Sequence, residues 1–272
     1  MMYNLLKGKR GIISGALNEQ SIAWKVALKA KAEGATFTLT NAPIAGRLGE
    51  INKLAETCEA EIIYADATLV EDIENLYKKS SEILDGKIDF VLHSIGMSPN
   101  IRKDKDHGTL NYDWFLKTLD ISALSFHKML QIADNLDVMN EHGSFVALSY
   151  IAAQRNFPFY SDMAQAKAML ESIARGYGYR FAKKNKVRIN TISQSPTKTT
   201  AGTGIGGFDA FFEYADKMSP LGNAPADACA DYCITLFSDL TRFVTMQNLY
   251  HDGGFSSMGL SQEIIDMIKP KE

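Results

Sequence analysis

Cysteine, excess positive charge and long apolar runs are all scarce in this sequence. Its three cysteines, Cys58 alone and Cys229 with Cys233 one helical turn apart, make no disulfide framework and read as core residues. The five histidines, His93, His107, His127, His142 and His251, are scattered without ligand spacing, so no metal site is expected. Lysine and arginine number 29 against 32 aspartates and glutamates. The resulting net charge of -3 argues against general nucleic-acid binding, because neutralising phosphates needs a basic stripe. No apolar run reaches the ~18 residues of a membrane span, and residues 1–10 hold no apolar leader core, so a cytoplasmic protein is expected. No proline- or serine-rich linker interrupts the chain, and a single domain over residues 1–272 is the expectation.

What the chain has instead is a regular rhythm. Short apolar, β-rich segments at 10–14, 36–40, 61–65, 88–94, 143–149, 187–193 and 247–251 alternate with helical patterns at 21–34, 69–84, 112–138, 161–183 and 224–238. That alternation predicts an α/β fold: a Rossmann-type, doubly wound parallel sheet of about seven strands, covered by helices on both faces. The segment 196–218 departs from the rhythm, with threonine and glycine in its first half and Phe208, Phe211, Phe212 and Tyr214 in its second. Its position after a strand's C-terminal end favours a substrate-binding lid over a surface helix packed on the core.

After the first strand, Gly15 is followed by five residues and then by Ser21, Ile22 and Ala23 opening a helix. Such a turn delivers a helix N-terminus to a pyrophosphate; a plain turn with Ser21 as helix cap is the alternative. The segment contains no glycine between Ala16 and Gln20, so the G-x-G-x-x-G fingerprint is absent. Asp66 and Ala67 follow the third strand, Ser94, Ile95 and Gly96 the fourth, and Pro196, Thr197 and Thr199 the sixth. Ligands of open α/β sheets bind just outside these strand ends, which makes a dinucleotide the expected ligand. The second strand ends in TLTNAPIAGR without an acid to grip a ribose 2′-hydroxyl, and the nearest cation, Arg47, lies six residues past Asn41. With no positive charge close enough for a 2′-phosphate, NADH is favoured over NADPH.

Tyr160 and Lys167 are separated by six residues at the start of a helix, about 10.5 Å along its axis and on one face. A lysine leaning toward the helix N-terminus approaches the phenol and leaves room for a ribose hydroxyl between them. Such a cation lowers a tyrosine pKa from its usual value of about 10, so Lys167 could both bind cofactor and tune Tyr160; taken alone, the spacing also occurs by chance, and a purely structural pair is the better reading of it in isolation.

Taken together, Gly15-x5-Ser21-Ile22-Ala23, Asp66, HSIG at 93–96, LSY at 148–150, Tyr160-x6-Lys167, RINTIS at 188–193 and DGGFS at 252–256 resemble the NADH-dependent bacterial enoyl-[acyl-carrier-protein] reductases. These form a divergent branch of the short-chain dehydrogenase/reductase superfamily. Ordinary members use Tyr-x3-Lys with a serine about thirteen residues before the tyrosine, whereas position 147 here is alanine. The resemblance implies a homotetramer that reduces trans-2-enoyl thioesters carried on acyl-carrier protein. Tyr160 would stabilise the enolate and Lys167 would hold the nicotinamide ribose. It also implies that Tyr150 supports substrate or proton transfer, or packs against nicotinamide or acyl chain, and that Met163, Phe208 and Phe211 line the acyl pocket. Two departures stand out. SQSPTKT at 193–199 replaces the family's SAGPIRT, putting Gln194 and Ser195 beside the nicotinamide and Lys198 for an arginine, and the lid helix offers almost no positive charge to an acidic carrier. Arg102, Lys103 and Lys105 could serve as a substitute basic group, a solvated charged loop being the usual alternative. A short-chain dehydrogenase acting on a carbonyl and a non-catalytic dinucleotide sensor are the alternative readings.

Overall fold

Six of the apolar segments pair into one parallel sheet: β1 (Arg10–Ser14), β2 (Thr36–Thr40), β3 (Ile88–His93), β4 (Met139–Ser149), β5 (Arg188–Gln194) and β6 (Asn248–His251), in the spatial order β2-β1-β3-β4-β5-β6. This computed structural model describes residues 3–48, 50–200, 202 and 207–269. The seventh expected strand, 61–65, is reduced to a single bridge between Ile62 and Leu39. It runs beside β2, with Leu39 N donating to Glu61 O and Ile63 N to Leu39 O at 2.9 Å each. As an edge segment with Tyr64 turned to solvent, it has no further strand to extend its ladder. The predicted helix over 112–138 is likewise interrupted: α5 (Tyr112–Leu119) and α6 (Ser125–Asn135) are joined by a π turn, Asp120–Leu124.

Successive strand residues point to opposite faces, so a parallel sheet needs two apolar covers. Ile13, Leu39, Leu92, Val146 and Ile192 pack on one side against α1 (Ile22–Ala32), α2 (Glu50–Cys58) and α9 (Ala226–Phe237). Their neighbours Ile12, Val91, Phe145 and Ile189 pack on the other against α3 (Val70–Ile83), α6 and α7 (Ser161–Asn185). Cys58, Cys229 and Cys233 are free thiols buried in the first of these layers. Three shorter elements complete the arrangement: α4 (Pro99–Arg102), α8 (Phe208–Met218) and α10 (Gln262–Ile268).

β1 has β2 on one side and β3 on the other, so the winding reverses between β1 and β3. This is the switch point at which α/β sheets open a ligand crevice. Gly15 and Ser94 close its floor: a Cβ on Gly15, at φ +92°, would stand 2.0 Å from the Ser94 carbonyl oxygen. Glycine alone permits both that backbone angle and that approach.

At the far end of β5, the buried Arg188 guanidinium gathers the carbonyls of Leu236 (2.8 Å), Ser238 (3.2 Å) and Thr241 (3.0 Å) where α9 ends. It satisfies carbonyls that have no partner within the helix. Arg188→Met keeps the stem but removes the guanidinium from the Ser238 and Thr241 carbonyls and leaves Leu236 O to the Ser144 hydroxyl at 2.8 Å. The expected loss is about 2–4 kcal/mol of unfolding free energy, read from the urea midpoint at unchanged m-value.

Candidate active site

The turn after β1 is organised by Ser21. Its hydroxyl accepts from Leu17 N and Asn18 N, both at 3.2 Å, and caps no N–H of α1. The helix therefore starts with no side-chain cap and no acid in its first turn, as an anion site at a helix N-terminus requires. Asn18 Nδ2 donates to Thr200 Oγ1 at 2.7 Å, joining this turn to the Pro196–Thr199 loop across the crevice. At the end of β2, Asn41 Nδ2 donates to Ala16 O at 2.9 Å, while Arg47 is exposed on a separate 3-10 turn. Asp66 uses Oδ1 locally, accepting from Thr68 N at 2.9 Å and Thr68 Oγ1 at 2.7 Å, and it lies with Ala67 at the sheet edge.

Ser94, Ile95 and Gly96 leave β3 on the opposite side of the crevice. A Cβ on Gly96 would sit 3.7 Å from Lys167 Nζ and 3.9 Å from both Met163 Cε and Ser122 Oγ. The Gly96 backbone thus lies within van der Waals reach of the ammonium. Lys167 is buried, and Nζ donates to the Leu148 carbonyl at 2.7 Å, which leaves two further donors. Burial pushes this lysine down to about 8, with Glu171 acting in the opposite direction. The nearby His93 ring is driven to about 3, by burial first and by Lys167 second, and Nε2 pairs with Ser125 Oγ at 2.8 Å.

Tyr160 stands just before α7 rather than within it, because Ser161 turns the chain at φ +40°. The expected shared helix face therefore gives way to a bent entry that aims the phenol toward Tyr150, with ring centroids 5.0 Å apart. Tuning by Lys167 is also corrected: burial pushes the Tyr160 phenol upward. The group stays a neutral hydrogen-bond donor instead of tending toward phenolate. Tyr150 is driven upward too, by burial, then by Tyr160 and Asp252, and its buried hydroxyl has no protein partner.

Around these two rings lies an apolar pocket of Ile151, Ala152, Ala164, Phe157, Phe211 and Phe255. Phe211 meets Tyr150 edge-on at 6.2 Å and Phe157 at 5.2 Å, as a lid residue would. Met163 packs beside Tyr160 with Ile101 and Ala166. Phe208 does not join them: it is buried beside Gly202 and 5.9 Å from Phe212, under the preceding loop. Within the expected lid, residues 201 and 203–206 lie outside the described residues. Phe157 lies between the LSY motif and Tyr160, and Phe255 within DGGFS, but nothing in the sequence marks either ring as a neighbour of the two tyrosines. Ser122 carried no signal at all, since only the π turn brings it to Met97 N at 3.0 Å.

Gln194 and Ser195 do not crowd the cofactor side. Gln194 Nε2 donates to Ala224 O at 2.8 Å and Oε1 meets His251 Nδ1 at 2.7 Å, while Ser195 Oγ accepts from Ala224 N at 3.0 Å. Both brace the end of β5 against the approach to α9. Asp162, fully buried two residues past Tyr160, accepts from Ser98 Oγ (2.6 Å), Asn100 Nδ2 (2.7 Å) and Thr118 Oγ1 (2.8 Å). It thereby ties the loop after β3 and α5 to the start of α7.

A switch-point crevice with an uncapped helix N-terminus on one wall and, on the other, a buried lysine beside Gly96 and a half-buried tyrosine at the entrance of the same helix defines a dinucleotide-dependent oxidoreductase. A sequence model described as "Enoyl-(Acyl carrier protein) reductase" matches residues 15–256. The NADH enoyl-[acyl-carrier-protein] reductase FabI of Aquifex aeolicus is 35% identical over 262 residues, 94% of each chain. Reductase 1 of Rhizobium meliloti is 34% identical over 263 residues, covering 94% of this chain and 93% of its own. A crystal structure of a FabI–NADH complex from Alistipes finegoldii superposes with a TM-score of 0.96 at 60% identity, covering 99% of this chain and 94% of that one. The chain belongs to the enoyl-[acyl-carrier-protein] reductase family.

Asp162→Ala leaves the Ser98 and Asn100 donors buried without their acceptor. Chemical denaturation should register a loss of roughly 2–4 kcal/mol, against about 1 kcal/mol for Thr118→Val, which removes one donor and keeps the carboxylate.

Proposed function

We infer that this chain is an NADH-dependent enoyl-[acyl-carrier-protein] reductase, converting trans-2-enoyl thioesters to saturated acyl thioesters in fatty-acid elongation. The observation that carries the reading is the convergence of the Gly96 backbone, the Lys167 ammonium and Met163 beside the Tyr160 cluster. The residues present fit a dinucleotide. Gly15, Ser21 and Ile22 form the pyrophosphate turn, Asp66 and Ala67 flank the adenine end, Ser94, Ile95 and Gly96 line the nicotinamide side with Pro196, Thr197 and Thr199, and Lys167 offers two donors to the ribose. Asn41 and the distant Arg47 support NADH over NADPH.

When bound, NADH supplies a hydride to the substrate's β-carbon. The work of the protein is then to stabilise the enolate that develops on the thioester. Tyr160, kept neutral by burial, donates its O–H to the thioester oxygen, and the surrounding aromatic rings exclude water so that this bond acts in a weakly screened medium. Tyr150 packs against Tyr160 and holds its position; with its own hydroxyl free of protein partners, it is also the adjacent donor for returning a proton. Met163 and Phe211 line the acyl path, with Phe208 seating the lid's preceding loop.

We further assign one catalytic domain to the whole chain, a cytoplasmic location and a homotetrameric state. Among the described residues no helix is long and apolar enough to cross a membrane. Exposed Leu240 and Phe243 after α9 and Tyr179 on α7 supply apolar surface for self-association. The lid helix carries Asp209, Glu213 and Asp216, with Lys217 already paired to Glu213 at 2.6 Å, and is unsuited to an acidic carrier. Arg102, Lys103 and Lys105, next to Ile101 of the Met163 cluster, are the better landing point for acyl-carrier protein.

Near-ultraviolet absorbance of NADH should fall when the protein meets a trans-2-enoyl thioester and stay constant with a simple ketone; the reverse pattern would move the chain to carbonyl reduction. NADH binding without turnover of either substrate would leave it a sensor. Tyr160→Phe is expected to lower kcat by about 100- to 1,000-fold, as for loss of an oxyanion donor, while the NADH dissociation constant changes less than about twofold.

A further inference from the structure

α7 buries a second carboxylate for which the mechanism above has no use. Glu171 lies one turn beyond Lys167 and is 4% exposed. Among the described residues its hydrogen-bond donors are neutral: Ser149 Oγ at 2.7 Å and Gln154 Nε2 at 3.2 Å, the latter amide in turn accepting from Tyr250 Oη. Lys167 makes the complementary contact one residue back on the same strand end, to the Leu148 carbonyl at 2.7 Å. Lysine and glutamate thus grip consecutive residues, Leu148 and Ser149, immediately before Tyr150. Neither has a charged hydrogen-bond partner, and each is buried.

We propose that Glu171 is a positioning residue for Lys167, its buried carboxylate supplying the counter-charge that the ammonium lacks among its own hydrogen bonds. This rests on the reading of Lys167 as the ribose-binding lysine. A buried ammonium flanked by neutral groups loses its proton easily; a carboxylate one turn away favours the charged form. The other groups around Lys167 do not serve that purpose. His93, from β3, is held neutral by burial with Nε2 paired to Ser125, and burial holds the phenols of Tyr150 and Tyr160 in their protonated form. Ser122, from the π turn, is engaged by Met97. Asp162, at the other end of the site on α7, is occupied by Ser98, Asn100 and Thr118, and Asp252 acts on Tyr150 while accepting from Gly254 N and Ser256 N. Glu171 is the acid that acts on Lys167, opposing the burial that brings it down to about 8.

The sign follows from linkage. Binding that needs the ammonium is complete below the lysine's titration and is lost as pH rises through it, so neutralising Glu171 moves the loss toward acid. The test is NADH affinity of the full chain by fluorescence titration from about pH 6 to pH 9.5, for the unsubstituted protein, Glu171→Asp and Glu171→Gln. In Glu171→Gln the alkaline midpoint should fall by about half a unit or more, making NADH binding about threefold weaker at pH 9 and unchanged at pH 6. Glu171→Asp, which keeps the charge but draws it back by one methylene, should lie between the two. An unmoved midpoint, or a loss of affinity equal at every pH, overturns the proposal and leaves Glu171 a brace for Ser149 and Gln154. Should the glutamine variant fail to fold, the aspartate variant decides by the same criterion, an acid shift supporting the proposal and an unmoved midpoint overturning it. Absence of NADH binding by the unsubstituted protein would instead bring down the reading of the site itself.

Discussion

The contact between the Lys167 ammonium and the Leu148 carbonyl is the interaction on which the rest of the site depends. An ammonium is costly to bury, and a single neutral acceptor at 2.7 Å does not complete its hydrogen bonding. Gly96 lies beside this ammonium, where a Cβ would be 3.7 Å from Nζ. The bond also locks α7 to the end of β4, and so sets where Tyr150, two residues beyond Leu148, meets Tyr160 at the helix entrance.

Two buried carboxylates bracket that lock. Asp162 draws the loop after β3 and the helix α5 onto the entrance of α7, and Glu171 holds the β4 end from behind. Between them lie Tyr160, half-buried, and Lys167, buried. The same burial that holds Tyr160 neutral depresses Lys167, so one environment prepares a hydrogen-bond donor and a cation that is sensitive to its counter-charge. Aromatic packing from Phe157, Phe211 and Phe255 then decides how dry the phenols are.

Much of this was legible in advance because it is local. The strands and helices follow from alternation and apolar period, and the Tyr160–Lys167 interval with its flanking motifs identified the family. The failures are equally physical. The segment 61–65 has strand composition, yet an edge position gives it a partner on one side only. By position in the motif Gln194 and Ser195 fall beside the nicotinamide; in space their side chains turn to His251 and Ala224, residues far along the chain. Phe208 and Phe211 share one helix and similar chemistry, but three residues of rotation send one beneath the loop and the other to the tyrosines.

Periodicity and residue type by themselves determined a parallel α/β sheet, its helical covers and the loops that would gather at the strand ends; the roles proposed for Tyr160 and Lys167 came from the resemblance of their flanking motifs to a known family. Only the tertiary structure decided that Tyr160 stands outside its helix on a left-handed Ser161, that its phenol is held neutral by burial, and that Ser122, Asp162 and Glu171 belong to the site. The first set depends on interactions between residues close in sequence. The second depends on desolvation and on hydrogen bonds between distant segments, which exist only once the sheet has brought those segments together.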